Sequence, residues 1–396
     1  MKRYALLILF ALISVFSSAQ TLSPYANVSL LTIAPGDALY STFGHSAIRI
    51  NDPMMGLDIV YNYGAFESYT EGFYLKFLRG TLPYKISADY FDNEIYGWSY
   101  EKRLVGEQIL NLSQQQKQAL YAFLIKNHLP ENRYYAYKFF YDNCSSRLRD
   151  VVKTIAGDSL VFPAKLHADS SYRQWIDVYA RKNNKLWADF GMDLAIGQPS
   201  DLKTGASGAM FLPDNLRDAF DNAKIKRNGV WQPLVAQKRD LNPEVLNDVI
   251  KEKEPITPNM LFWPLLVLTG ALTYFQLKRN NTNFVFDKIL FSITGIVGWV
   301  IVLLWFFTNH GVTEYNLNII WAYPLLFPIA LFLKKDTTRH WLAKHFLAYG
   351  IIQLLLLVSW AFLPQEINYS LIPVVLMLAM RAFFVWWRLR MKLRSF

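Results

Sequence analysis

Two hydrophobic patterns divide the chain. From Leu261 onward the apolar residues come in unbroken blocks: 261–277, 289–307, 317–333 and 346–363 contain no Asp, Glu, Lys or Arg, and 369–387 contains only Arg381. Each block approaches the ~20 residues needed to cross hydrocarbon, so the pattern predicts about five transmembrane helices within 260–396. A buried helical core is the alternative, but five such blocks in succession argue against it. Upstream the apolar positions are sparser and recur at short period. Residues 28–34 read as a strand ended by Pro35-Gly36, and 39–50 as a second, in which His45, Ala47 and Arg49 share one face and Ser46, Ile48 and Ile50 the other. Residues 58–63 and 103–111 read as two more strands. Ser113, with Gln116 three residues on, has the spacing of a capping box opening a helix whose stripe is Leu120, Phe123 and Leu124.

The same pattern sets the domain boundaries. Lys2 and Arg3, the apolar run Tyr4–Phe16 and the small residues Ser17-Ser18-Ala19 form an export signal over 1–19, cleaved or retained as an anchor. Residues 20–241 then form an exported α+β domain. Residues 242–259, with three prolines and the run Lys251-Glu252-Lys253-Glu254, read as a linker to the membrane helices.

Charge supports that order. Lys and Arg accumulate in cytoplasmic loops, and here they follow the first block (Lys278, Arg279, Lys288), the third (Lys334, Lys335, Arg339, Lys344) and the fifth (Arg388, Arg390, Lys392, Arg394). Loops 308–316 and 364–368 contain neither residue. The expected topology therefore has the N-terminal domain in the periplasm and the C-terminus in the cytoplasm of a bacterial inner membrane protein. Arg381 is expected to snorkel to the cytoplasmic interface. The net charge of +10 resides at Lys2, Arg3 and residues 259–396, while 20–258 holds 27 side chains of each sign. A nucleic-acid partner loses its main support.

One cysteine, Cys144, stands in the exported half, so no intrachain disulfide can form. It follows Asp142-Asn143, good helix caps, and precedes Leu148, Val151, Val152 and Ile155 at helical spacing. A thiol in a first helical turn meets exposed backbone N–H groups and the positive end of the macrodipole, which favour thiolate. Its i+4 and i+7 neighbours are apolar, so the sulfur faces the sheet. A thiol nucleophile wants a base and a polar group to orient it. Of the exported histidines, His128 lies at a helix end and His167 in a polar stretch; His45, after Gly44 in a strand, is the candidate base. Asn62, on the neighbouring strand before Tyr63-Gly64, is the candidate third member, with a turn-satisfying Asn as the alternative. The order His, polar, Cys reverses that of papain, as a circular permutation of that fold would. Zinc is disfavoured by one Cys and scattered histidines, and no metal or cofactor motif is visible.

These residues resemble the Lnb family of exported, cysteine-dependent lipoprotein N-acyltransferases. The similarity rests on Tyr40-Ser-Thr-Phe-Gly-His-Ser-Ala-Ile-Arg49, Val60-Tyr-Asn-Tyr-Gly64, Tyr141-Asp-Asn-Cys-Ser-Ser-Arg-Leu-Arg-Asp150, Phe211-Leu-Pro-Asp214, and the block from His310 through Asn316, Asn318 and Trp321 to Pro324. The resemblance implies transfer of an acyl chain from a phospholipid, through a Cys144 thioester, to the α-amino group of the diacylglyceryl-cysteine of lipoproteins. His45 would serve as acid and base and Asn62 would hold its ring. His310, Asn316, Asn318 and Arg147 become candidate substrate-binding residues, the first three with interfacial helix-end roles as the alternative. The arrangement also looks like that of lecithin:retinol acyltransferase, an analogy of fold only.

Two other functions remain open at this stage. A membrane-anchored papain-like hydrolase of the cell wall would use the same thiol in a wetter cleft; the aromatics around 61–77 and 134–141 fit an apolar acyl pocket or ordinary core. A non-catalytic receptor would tolerate loss of Cys144.

Overall fold

A computed structural model describes residues 21–67, 69–248, 254–334 and 339–394. The predicted export signal at 1–19 and the Lys251–Lys253 part of the linker lie outside the described residues.

The exported half is mixed α and β, with helices α1 (Phe73–Leu78), α2 (Phe91–Tyr100), α3 (Gln114–His128), α4 (Cys144–Ala156), α5 (Tyr172–Lys182), α6 (Leu186–Ala195) and α7 (Pro213–Asp221). Strands β1 (Asn27–Ile33), β2 (His45–Asp52), β3 (Leu57–Ala65), β4 (Pro83–Tyr90), β5 (Val105–Leu110) and β6 (Tyr134–Ala136) join a later strand in one seven-stranded sheet. That last strand, β10 (Val235–Asp240), pairs with β5 at one edge, giving the order β10-β5-β1-β2-β3-β4-β6, antiparallel throughout. Strands β7 (Leu160–Val161), β8 (Lys224–Arg227) and β9 (Val230–Pro233) form a small second sheet. Three of the expected strands agree within two residues, whereas the one placed at 39–50 begins only at His45, after a 3-10 turn at Leu39–Ser41.

Alternation along β1 and β2 sends apolar side chains to both faces. Val28, Leu30, Ile48 and Ile50 pack with Leu120 and Leu124 of α3 and with Leu148, Val152 and Ala156 of α4. Leu31, Ile33, Ala47 and Val60, on the other face, pack against Trp98 of α2. The charged member of that face, Arg49, is buried by pairing with Asp58 at 2.6 Å and Glu107 at 3.3 Å and by stacking over Phe91. Helix α3 starts with the expected box: Ser113 accepts the Gln116 N–H, and the Gln116 side chain returns to the Ser113 N–H. The sheet thus separates two helical layers, and the site forms where they meet around its end.

Among the described residues of the C-terminal region four helices are long and apolar enough to cross a membrane: α8 (Pro258–Lys278), α9 (Val285–Phe307), α11 (His340–Ser359, extended by a 3-10 turn to Phe362) and α12 (Ile372–Arg394). The block at 317–333 is different. Instead of one helix it forms a 3-10 turn at Leu317–Ile320, an irregular stretch, and the short α10 (Leu326–Ala330). Pro324 and Pro328 remove backbone donors, and helix α9 presents glycines to the break. A Cβ on Gly298 would lie 2.0 Å from the Ala322 carbonyl, and one on Gly295 2.2 Å from the Phe327 nitrogen. The freed carbonyls are met from α11, where Tyr349 Oη donates to Trp321 O at 2.6 Å and Gln353 Nε2 to Ile320 O at 3.3 Å. Irregular backbone at membrane depth is tolerated when it is enclosed by protein in this way.

Arg381 does not snorkel. It is fully buried, donating to both oxygens of Asp287 at 2.7 and 2.8 Å, to Thr273 Oγ1 at 2.7 Å and to Gln276 Oε1 at 2.9 Å, with Phe384 under its guanidinium. A partner carboxylate within the bundle makes burial less costly than unwinding toward water.

The two halves are joined by polar contacts. Asn316 Nδ2 donates to Leu194 O at 2.8 Å and Asn318 Nδ2 to Asp193 O at 2.9 Å, both from fully buried side chains. Asn368 Nδ2 donates to Asp193 Oδ2, and the Gly197 N–H to Val312 O. On another side, the Asn309 N–H donates to Arg79 O at 2.8 Å, and His310 Nε2 donates to Leu78 O at 2.9 Å.

Candidate active site

Cys144 opens α4. Its preceding residue, Asn143, is the N-cap: Oδ1 accepts the N–H groups of Ser145 and Ser146, and the Ser146 hydroxyl accepts the Asn143 N–H at 2.8 Å. The amide of Asn143 also donates to Phe139 O and Phe211 O, which ties the helix start to two loops. Helix α4 lies against β2, with Ser145 Oγ 2.9 Å from Ser46 Oγ. The thiol is 92% buried, since its exposure is 8%.

His45 opens β2 and comes from the other face. Its Nε2 donates to Asn62 Oδ1 at 3.0 Å, leaving Nδ1 to face the sulfur. Asn62 lies on β3 opposite Ala47, on the face covered by α2, and its Nδ2 donates to Glu94 Oε1 at 2.8 Å. Glu94, in the first turn of α2, was not foreseen. Imidazole, amide and carboxylate therefore form a hydrogen-bonded line on the α2 side of the sheet, and its imidazole end meets the sulfur brought by α4 from the other side. Gly64, at φ 92°, ends β3 where they converge, and a Cβ there would stand 3.3 Å from the Tyr137 ring and 4.0 Å from Cys144 Cβ.

Burial alone would raise the Cys144 thiol, but the neighbouring His45 charge and hydrogen bond, the Ser46 N–H and the Ser145 hydroxyl together hold it below the usual cysteine range. Burial would likewise depress His45, and the Cys144 thiolate with the Asn62 hydrogen bond reverses this, so the imidazole is held above its ordinary value. Each group thus favours the charged form of the other. Burial raises Glu94, with the His45 charge opposing. Such a set can attack a carbonyl carbon with sulfur and deliver a proton to a leaving oxygen.

The remaining expected residues lie elsewhere or do other work. Arg147, one turn along α4, pairs with Asp142 at 2.9 Å and stacks 3.7 Å over Tyr135. Asn316 and Asn318 spend their amides on the carbonyls of α6 residues, and His310 on Leu78 O, so all three serve domain docking. His128 is edge-on to Tyr61, and His167 meets Asp218 at 3.3 Å.

Among the described residues, three buried carboxylates come close enough to share a cation: Asp177, Asp189 and Asp193, within 4.8 Å of one another. They border a cavity of ≈ 330 Å³ that also touches Asn259 and Tyr369 at the membrane junction. Arg173 neutralises Asp193 at 2.6 Å. Burial and repulsion from neighbouring carboxylates push Asp177 up to about 8 and Asp189 up to about 6.

Comparison with known families identifies both halves. Residues 18–176 match the family model for the Lnb N-terminal periplasmic domain, and residues 250–392 match that for the Lnb transmembrane domain. Neither the curated proteins nor the solved structures yield a match.

Proposed function

Because the chain belongs to the Lnb family, with a periplasmic domain followed by a transmembrane domain in the inner membrane, we propose that it is a lipoprotein N-acyltransferase working through a Cys144 thioester. The observation that carries this is the buried cysteine at a helix start beside an imidazole held by Asn62, in a domain docked onto a membrane bundle. Both substrates, a phospholipid donor and a diacylated lipoprotein, live in that bilayer, and tethering holds the thiol at high local concentration toward them.

In the first half-reaction the Cys144 sulfur attacks the carbonyl carbon of a glycerol ester. The carbonyl oxygen becomes an oxyanion, which the Cys144 N–H is placed to meet, since the Asn143 cap occupies only the Ser145 and Ser146 N–H groups. As the C–O bond breaks, His45 gives its proton to the departing lysophospholipid oxygen. In the second, the lipoprotein α-amino nitrogen attacks the thioester, His45 takes the amine proton, and collapse forms the amide and frees the sulfur. Asn62 keeps the ring oriented throughout, and Glu94 in turn holds Asn62. The C-terminus in this scheme lies in the cytoplasm, a side that the basic loops support.

Mass spectra of lipoprotein N-terminal peptides test the proposal. Cells with the protein should show one amide-linked acyl chain more than cells without it, other acyltransferases being excluded. Equal masses would reject the reading and leave hydrolysis as its replacement.

A further inference from the structure

Helix α1 is built as no soluble domain would place it in water. Its sequence is Phe-Tyr-Leu-Lys-Phe-Leu, it has no buried residue, and Tyr74, Leu75, Phe77 and Leu78 are 85%, 61%, 54% and 56% exposed. Its position explains the composition. The bonds from Asn309 to Arg79 O and from His310 to Leu78 O hold its C-terminal end where α9 leaves the membrane. There the last residues of α9, Phe306 and Phe307, are 65% exposed and continue the same apolar surface. An apolar patch in line with a transmembrane helix, with Lys76 and Arg79 beside it to meet phosphates, fits the headgroup and acyl boundary of a bilayer.

From that helix a row of rings leads inward. Phe77 stacks on Phe73, whose ring is 5.7 Å from Phe66; Phe66 is 5.7 Å from Tyr84; and Tyr84 stacks at 4.5 Å on Tyr137. Tyr137 then borders Gly64 beside Cys144. We propose that α1 embeds in the outer leaflet and that this row is the binding track for one fatty acyl chain of a membrane phospholipid, leading its ester to the sulfur. The proposal names the donor site of the reaction above and rests on that reading.

The full chain in lipid nanodiscs tests it in two ways. Cys144→Ser combined with Tyr74→Cys leaves one cysteine for an environment-sensitive fluorophore, whose emission should shift to the blue and be quenched by lipids with spin labels on their chains; a water-like emission would overturn the membrane contact whether or not the protein is an acyltransferase. For the track, acylation of Cys144 is followed with a long-chain phospholipid and with a water-soluble short-chain thioester. Leu75→Glu with Leu78→Glu, and separately Phe66→Ala, should slow long-chain acylation about tenfold or more, the worth of roughly two buried methylenes, and slow the short-chain reaction several-fold less. Equal losses with both donors, or no loss with either, would overturn the track. A parent protein that accepts neither donor would instead overturn the acyltransferase reading.

Discussion

In the membrane bundle Arg381 is enclosed and nearly every donor it has is matched, by Asp287, Thr273 and Gln276. In the exported domain Cys144 and His45 form a second enclosed pair whose charged forms favour each other, and the sulfur's donors besides the imidazole are the Ser46 N–H and, at 3.8 Å, the Ser145 hydroxyl. The first arrangement is saturated and can only hold helices together. The second is held from outside, by Asn62, Glu94 and the helix cap, and its sulfur, the reacting atom of the proposed chemistry, has a side-chain contact as long as 3.8 Å. Polar groups of equal burial thus separate into structure and chemistry by how completely their valences are used.

The sharpest break of this comparison is Cys144→Ala. We expect transfer to fall roughly a thousandfold or more with no loss of melting temperature in detergent. In the bundle the expectation inverts. Arg381→Met alone or Asp287→Leu alone should each cost about 3–5 kcal/mol by stranding one buried charge, and the double variant should recover most of it; thermal unfolding reads the cycle, and unchanged transfer per folded molecule confirms the purely structural role. A smaller effect is expected at Glu94→Gln, where Asn62 loses the carboxylate that fixes its amide: about a tenfold lower rate, within the range of general acid–base contributions, with little change in stability.

The pH profile sharpens the contrast further. The sulfur is depressed and the imidazole raised, so the acid limb of the profile should lie below the ~8.5 of free cysteine and the alkaline limb above the ~6.5 of free histidine. Asn62 raises His45, so Asn62→Ala should move the alkaline limb of kcat/KM to lower pH; an unmoved limb would deny Asn62 its role. Asn143→Ala, the smallest effect, should lower stability by about 1 kcal/mol through loss of the cap.

Much of the site was legible because its signals are local. Cap chemistry marks Asn143 and Cys144, and strand alternation puts His45 on the same face of the sheet as Asn62. Glu94 escaped because its meaning depends on how α2 crosses the face of β3, a register that no short pattern records. Asp287 and Arg381 escaped for the same reason at longer range, since 94 positions separate them. The hydropathy of 317–333 reports solvent preference and not backbone path; Pro324, Pro328 and the facing Gly295 and Gly298 decide the break. The aromatics around 61–77 and 134–141 read from sequence as acyl pocket or core, and alternation has no means of showing that α1 stays outside.

The docking amides have a further consequence. Asn316 and Asn318 grip one flank of the exported domain and Asn309 with His310 another, so the sulfur stands at a set altitude over the bilayer. If the proposed transfer holds, a thiol mounted this way would select its acceptors by height above the hydrocarbon, the level at which a lipid anchor holds an amine, and not by their sequence.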